Sequence, residues 1–352
     1  MKRVIIVSIG EATPGIAKAL SEAFKLNHEI LVKMLYNAPT VFLENAEEEL
    51  AEKSKSMLSE LGLEVLVQDM SEEAPAPSAP VDIAVYIENP AQLTLVNKQL
   101  SEFLGCKESE SLQLLLNEPS VVLGGVSMAT AESLQKRLEA EVMASNPKTD
   151  LYTLEITEKD PSIRSAILSL LKDQKVVIQK DTENWIKNIT FEQLNTVLSR
   201  YRTQNGIRIY NQSFSRYTIL LENFDLNSEE QTTFLNKEIG MPAESLAEIH
   251  ANLPVILDES VNYSILQKKL AIYQEAGIQC TEERIPFGKY KIAISNITDT
   301  EKTGELLEKF FSGIQIGETT QRWKAPLPLD SILSRFLEKQ LEYIGCEIEH
   351  EY

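Results

Sequence analysis

The sequence predicts an α+β protein built as five small sandwich units in tandem. Three observations carry that prediction. A grammar of apolar strand, amphipathic helix, second strand, closing helix and last strand recurs along the 352 residues. An Asn-x-Pro step precedes a short strand three times, at Asn37-Ala38-Pro39, Asn117-Glu118-Pro119 and Asn252-Leu253-Pro254. Landmarks also keep their spacing: Tyr152 and Tyr290 stand 138 positions apart, as do Trp185 and Trp323, and Pro119 and Pro254 stand 135 apart. Self-similarity of this kind is the signature of a repeat architecture.

The first unit covers residues 1–69. Residues 3–9, rich in Val and Ile, read as a strand. Thr13 followed by Pro14 suits an N-cap and first helical position. Ile16, Ala17, Leu20, Ala23 and Phe24 then fall on one helical face. A short helix over 29–36 ends at Asn37-Ala38-Pro39, because the residue before proline avoids the α region. A strand at 40–43 leads to a helix over 47–61, whose acidic first turn suits the helix dipole. Gly62 is its stop, and 63–67 is the closing strand. The resulting order is β-α-α-β-α-β.

Residues 70–81, largely MSEEAPAPSAP, have nothing to bury and read as a semi-extended linker. The unit at 82–148 repeats the first, with a strand at 83–87, the Asn-Glu-Pro step and a strand at 121–123. Its closing helix spans 131–139, and its last strand lies near 141–144 without a glycine stop. The unit at 149–213 has a strand at 152–156, Asp160-Pro161 opening a helix, and strands at 176–178 and at Trp185-Ile186. A helix over 191–204, Gly206 and a strand at 207–210 close it. This is the β-α-β-β-α-β order of a ferredoxin-like sandwich. The unit at 214–286 returns to the first pattern, and the unit at 287–352 follows the third, with strands at 290–295 and 314–316. Leu198-Ser199-Arg200 recurs as Leu333-Ser334-Arg335. The simplest account is a two-unit module present twice, at 82–213 and 216–352, behind one linker-tethered unit.

Asn37-Ala38-Pro39, Leu43, Ala51-Glu52, Met57-Leu58 and Leu61-Gly62-Leu63-Glu64-Val65 give the first unit a resemblance to a known family. It resembles the C-terminal domain of the bacterial ribosomal stalk protein, large-subunit protein seven/twelve. The protease adaptor of the Clp system shares a related fold. The resemblance implies the β-α-α-β-α-β order. In the stalk family, basic residues on the short helices recruit translational GTPases beside a Gly-Leu-Gly-Leu-Lys motif. Here Leu26-Asn27-His28-Glu29-Ile30 occupies that stretch, and Lys33 is the nearby base.

A net charge of −19 argues against non-specific nucleic-acid binding, which needs a basic face. It suits solubility or a basic protein partner. No apolar run approaches the roughly 20 residues that span a bilayer. MKRVIIVSIGEATP reads as a strand rather than a leader, so a cytoplasmic protein is expected. Cys106, Cys280 and Cys346 are too far apart for a disulfide framework or zinc site, and no metal or cofactor is expected.

Catalytic signals are sparse. His28, His250 and His350 each stand alone. Leu123-Gly124-Gly125-Val126 lacks the Lys-Ser/Thr of a phosphate loop and reads as turn chemistry. Glu47, Glu48 and Glu49 fan around a helix instead of converging. No catalytic residue is predicted. Trp185 and Trp323 either cap the cores of their units or anchor a partner, with Arg200 and Arg335 one helix away. Those four and Lys33 are the predicted partner-binding residues. The expected function is a non-enzymatic scaffold or adaptor for protein partners, including copies of itself. The alternatives are a translation-associated factor that binds a translational GTPase or the ribosome, and an enzyme with a site between units.

Overall fold

The computed structural model describes residues 1–178, 184–201, 206–311 and 322–351. Among them the strands sort into five small sheets, each closed within one stretch of chain. The first unit runs Lys2–Ser8 (β1), Ile16–Phe24 (α1), His28–Tyr36 (α2), Thr40–Ala46 (β2), Glu48–Glu60 (α3) and Glu64–Asp69 (β3). Its sheet order is β2-β1-β3, with β1 antiparallel to both neighbours. The second unit has Val81–Tyr86 (β4), Leu93–Leu104 (α4), Glu108–Leu116 (α5), Val121–Val126 (β5), Met128–Arg137 (α6) and Glu141–Ser145 (β6), in the order β5-β4-β6. In the third, Tyr152–Ile156 (β7), Pro161–Asp173 (α7), Trp185–Ile189 (β8), Phe191–Tyr201 (α8) and Ile207–Asn211 (β9) give β8-β7-β9.

The fourth unit returns to two helices after its first strand. Arg216–Asn223 (β10), Glu229–Lys237 (α9), Leu246–Ala251 (α10), Val255–Asn262 (β11), Tyr263–Glu275 (α11) and Gln279–Arg284 (β12) form a sheet ordered β11-β10-β12. The fifth has Lys289–Ser295 (β13), Thr300–Glu308 (α12), Arg322–Lys324 (β14), Leu329–Asp330 (β15), Ser331–Tyr343 (α13) and Glu347–Glu351 (β16), with β13 pairing antiparallel to all three other strands. One plan therefore serves all five units: the first strand is the centre of its sheet.

Local chemistry repeats with the plan. The three Asn-x-Pro steps all carry a cis peptide before the proline. Asn45, Gly125, Asn188 and Ser260 have φ of 55, 66, 59 and 55°, each two residues before the residue that opens a closing helix. A left-handed residue there bends the second strand into the helix, and Asn and Gly tolerate that conformation best. This is the role of Gly124-Gly125: strand β5 ends in a bend and no phosphate loop forms. Gly62, Gly277 and Gly345, with φ of 90, 73 and 83°, end α3, α11 and α13. Asp160 caps α7 by accepting from Ser162 N at 2.8 Å, as its place before Pro161 predicts.

The structure departs from the sequence reading in several places. Thr13 is not an N-cap, because α1 starts later, behind Gly15 and without a side-chain cap. Val176, Val177 and Ile178 form no strand, so among the described residues the third unit reads β-α-β-α-β, whereas the fifth keeps β-α-β-β-α-β. The strand expected at 314–316 and the end of the helix expected through 204 lie outside the described residues.

Packing does not follow the duplication. Two compact bodies form, one from 1–144 with 287–352 and the other from 145–286. Within the first body, units one and two share a single core. Leu20, Leu31, Leu35 and Leu58 lie in one buried cluster with Ile83, Leu100, Phe103 and Leu134, joined by Ile332 of unit five. Each such side chain contributes about 1.5–3 kcal/mol by leaving water. Unit one is therefore packed against unit two and does not hang from the linker. Within the second body, units three and four keep separate cores around Leu154 and Ile219.

Candidate interaction surface

Two joints hold the first body together, and both are made by a closing helix. Helix α6 of unit two lies against unit one. Ser127 N and Thr130 Oγ1 donate to the carbonyl of Tyr36, at 2.9 and 2.8 Å, where α2 turns into its cis-proline corner. One helix turn further, Ser133 meets Ser8 at 3.5 Å. Arg137 completes the joint by donating to the carbonyls of Gly10 and Ala12, just beyond β1. Its guanidinium also lies 5.0 Å from the centre of the Phe103 ring, a cation–π contact in a half-buried site. Burial lowers the pKa of Arg137, opposed by the nearby Glu11 carboxylate.

Helix α13 of unit five meets unit two at the corresponding places. Arg335 donates to Tyr86 Oη at 3.1 Å and to the carbonyls of Ile87 and Glu88 at 3.0 and 3.4 Å, just beyond β4. It lies 4.8 Å from the Tyr86 ring centre. At the cis-proline corner of unit two, Glu118 accepts from Gly288 N at 3.2 Å and hydrogen-bonds the Ser331 hydroxyl at the start of α13. Burial raises the Glu118 pKa, and those two hydrogen bonds and the Arg335 charge only partly offset it.

The predicted patch of Trp185, Trp323, Arg200 and Arg335 is not assembled. Arg335 is spent inside the chain, on unit two. Trp323 sits opposite Ile294 on β13, on the core side, with its ring 5.6 Å from that of Phe311. Trp185 sits opposite Glu155 on β7, one register step away, and so faces the other side of its sheet. There it stacks on Tyr210 at 5.7 Å, under Arg284, whose guanidinium is 5.1 and 4.0 Å from the two rings. The cation beside Trp185 is thus Arg284 of unit four, not Arg200. Lys187 and Glu282, 2.8 Å apart, reinforce this contact between units three and four. Arg200 on α8 and Lys33 on α2 are exposed.

Arg137, Arg284, Tyr36 and Glu118 escaped the sequence reading. Nothing marks an arginine as bound for a backbone carbonyl of another unit, although Arg137 and Arg335 both lie on closing helices. Of the histidines, His250 packs edge-on to Phe224 at 5.1 Å, and His350 meets Glu338 at 3.7 Å and the Ser334 hydroxyl at 3.4 Å. Among the described residues, no group of three or more His, Cys, Asp or Glu side chains is placed to hold a metal. No helix there is long and apolar enough to cross a membrane. No family model, curated protein or solved structure matches the chain.

Proposed function

We propose that the chain is a non-enzymatic scaffold that displays small α+β units to protein partners. The observation that carries this reading is the pair of arginine joints. They fuse units one, two and five into one body, so exposed faces of different units are presented at fixed spacing, which raises the effective concentration of whatever binds them. The acidic surface and the exposed cations Lys33 and Arg200 support partners of mixed charge.

The test is affinity capture with the full chain, compared with a chain carrying Lys33→Glu and Arg200→Glu. A stoichiometric partner whose recovery drops about tenfold or more in the double variant is expected, the scale of losing one or two charge-assisted contacts. Retention of nothing beyond what an unrelated protein of equal charge retains would end the scaffold reading. A second reading, a translation-associated factor, draws on the resemblance of unit one to the stalk domain and on Lys33 being exposed on α2. Co-sedimentation with ribosomes at low salt, lost in Lys33→Glu, is its expected signature.

A further inference from the structure

The joint that occurs twice inside the chain has one spare acceptor and one spare donor. An acceptor consists of the Asn-x-Pro corner and the main chain just beyond the first strand. Unit four has both parts, in Asn252-Leu253-Pro254 and in Phe224 and Asp225 after β10. In unit one the corner is covered, and Ala38 is 0 % exposed. In unit four it is open: Ala251, which stands where Tyr36 stands in unit one, is exposed, as are Asn252 and Pro254, and Ile256 just beyond is 52 % exposed. Exposed Asp225 adds a carboxylate beside the Phe224 carbonyl, and its own carbonyl already accepts from Ser228 N at 3.1 Å.

The donor is a closing helix whose arginine reaches those carbonyls. Helix α8 has the same form and is unused. Thr190 opens it with a capping box, accepting from Gln193 N at 3.3 Å while its own N–H donates to Gln193 Oε1 at 2.9 Å. Arg200 follows Thr190 by ten positions, as Arg137 follows Ser127. It also closes the Leu-Ser-Arg triplet that Arg335 closes in α13, although Arg335 stands only five positions after its N-cap Asp330, so α6 is the closer template. Arg200 is exposed and makes no hydrogen bond or ion pair among the described residues.

We propose that α8 of one chain docks on the Asn-x-Pro corner of unit four in a second copy, with Arg200 on the main chain just beyond β10. Donor and acceptor are different surfaces, so the contact is head-to-tail and continues into a ring or an open filament. A second copy is the fitting occupant because the chain has already matched this helix type to this corner type twice, and because the cation meets an acidic rim. The inference rests on the scaffold reading for its purpose and on the repeated joint for its geometry.

Sedimentation velocity over a concentration series with the full chain tests it. The wild type is expected to grow with concentration. Arg200→Ala weakens assembly about tenfold to a hundredfold, the scale of lost charge-assisted hydrogen bonds, and Arg200→Lys recovers only part, lacking the planar fork. Ala251→Arg, on an exposed helical position, blocks the acceptor; an unchanged melting profile shows that it folds. Each variant alone stays small, but an equimolar mixture forms pairs that cannot grow, because one chain supplies an intact donor and the other an intact acceptor. A concentration-independent monomer, undiminished assembly of Arg200→Ala, or failure of the mixture to pair would each overturn the proposal. A monomeric wild type that still captures a partner sinks the joint and leaves the scaffold reading standing.

Discussion

The joint between units one and two and the joint between units two and five use the same device with different electrostatics. In the first, Arg137 rests on two carbonyls and the Phe103 ring, and the carboxylate nearest in effect, Glu11, is exposed. In the second, Arg335 rests on two carbonyls and Tyr86, and also feels the half-buried Glu118 carboxyl. The comparison teaches that carbonyls are enough to seat a half-buried arginine. A carboxylate near it is an addition that makes the joint sensitive to pH.

The largest test of this contrast is Arg335→Ala. It removes the hydrogen bonds to Tyr86 and to two carbonyls and the positive charge near half-buried Glu118, so the first body is expected to lose about 3–4 kcal/mol of stability at neutral pH, the scale of two lost charge-assisted hydrogen bonds. Chemical denaturation measures it, and the loss should shrink in acid, where Glu118 takes up a proton. Arg137→Ala is expected to cost about 2–3 kcal/mol through its charge-assisted hydrogen bonds and cation–π contact. Its cost should stay flat across the same acidic range. A cost as pH-dependent as that of Arg335→Ala would erase the distinction between the joints.

The smallest effect is that of Glu118→Gln. Because the folded-state pKa of Glu118 lies above its ordinary 4.5, the folded protein binds more protons than the unfolded chain between the two values. The contribution of Glu118 to stability is therefore least favourable above its folded pKa, and it improves as pH falls toward 4.5. Subtracting the melting curves of Glu118→Gln from those of the wild type should isolate this slope. A flat difference would show that Glu118 is hydrated and the joint looser than its geometry.

Much of the fold was legible because it is written in local chemistry. Gly62 announces a helix end, Asn-x-Pro announces corners, and runs rich in Val and Ile announce central strands. Register was not legible. Trp185 and Trp323 are equally placed in sequence, yet a one-residue difference in pairing sends one to the outer face and the other to the core. That difference arises after helices of different length, since α7 has 13 residues and α12 has 9. The interaction surface was read only in part. Arg200 and Lys33 are exposed, whereas Arg335 serves contacts between residues 248 positions apart, a separation that no local pattern encodes.

Both arginine joints address the main chain. The segments they grip, Gly10-Glu11-Ala12 and Ile87-Glu88, share almost no side-chain chemistry, yet each offers carbonyls within a few residues of the end of the first strand of its unit. A lock cut to fit backbone leaves the side chains around it free to drift. Sister units can then lose nearly all likeness to one another and still mate, and an exchanged unit should need only its corner shape, not its sequence, to be accepted.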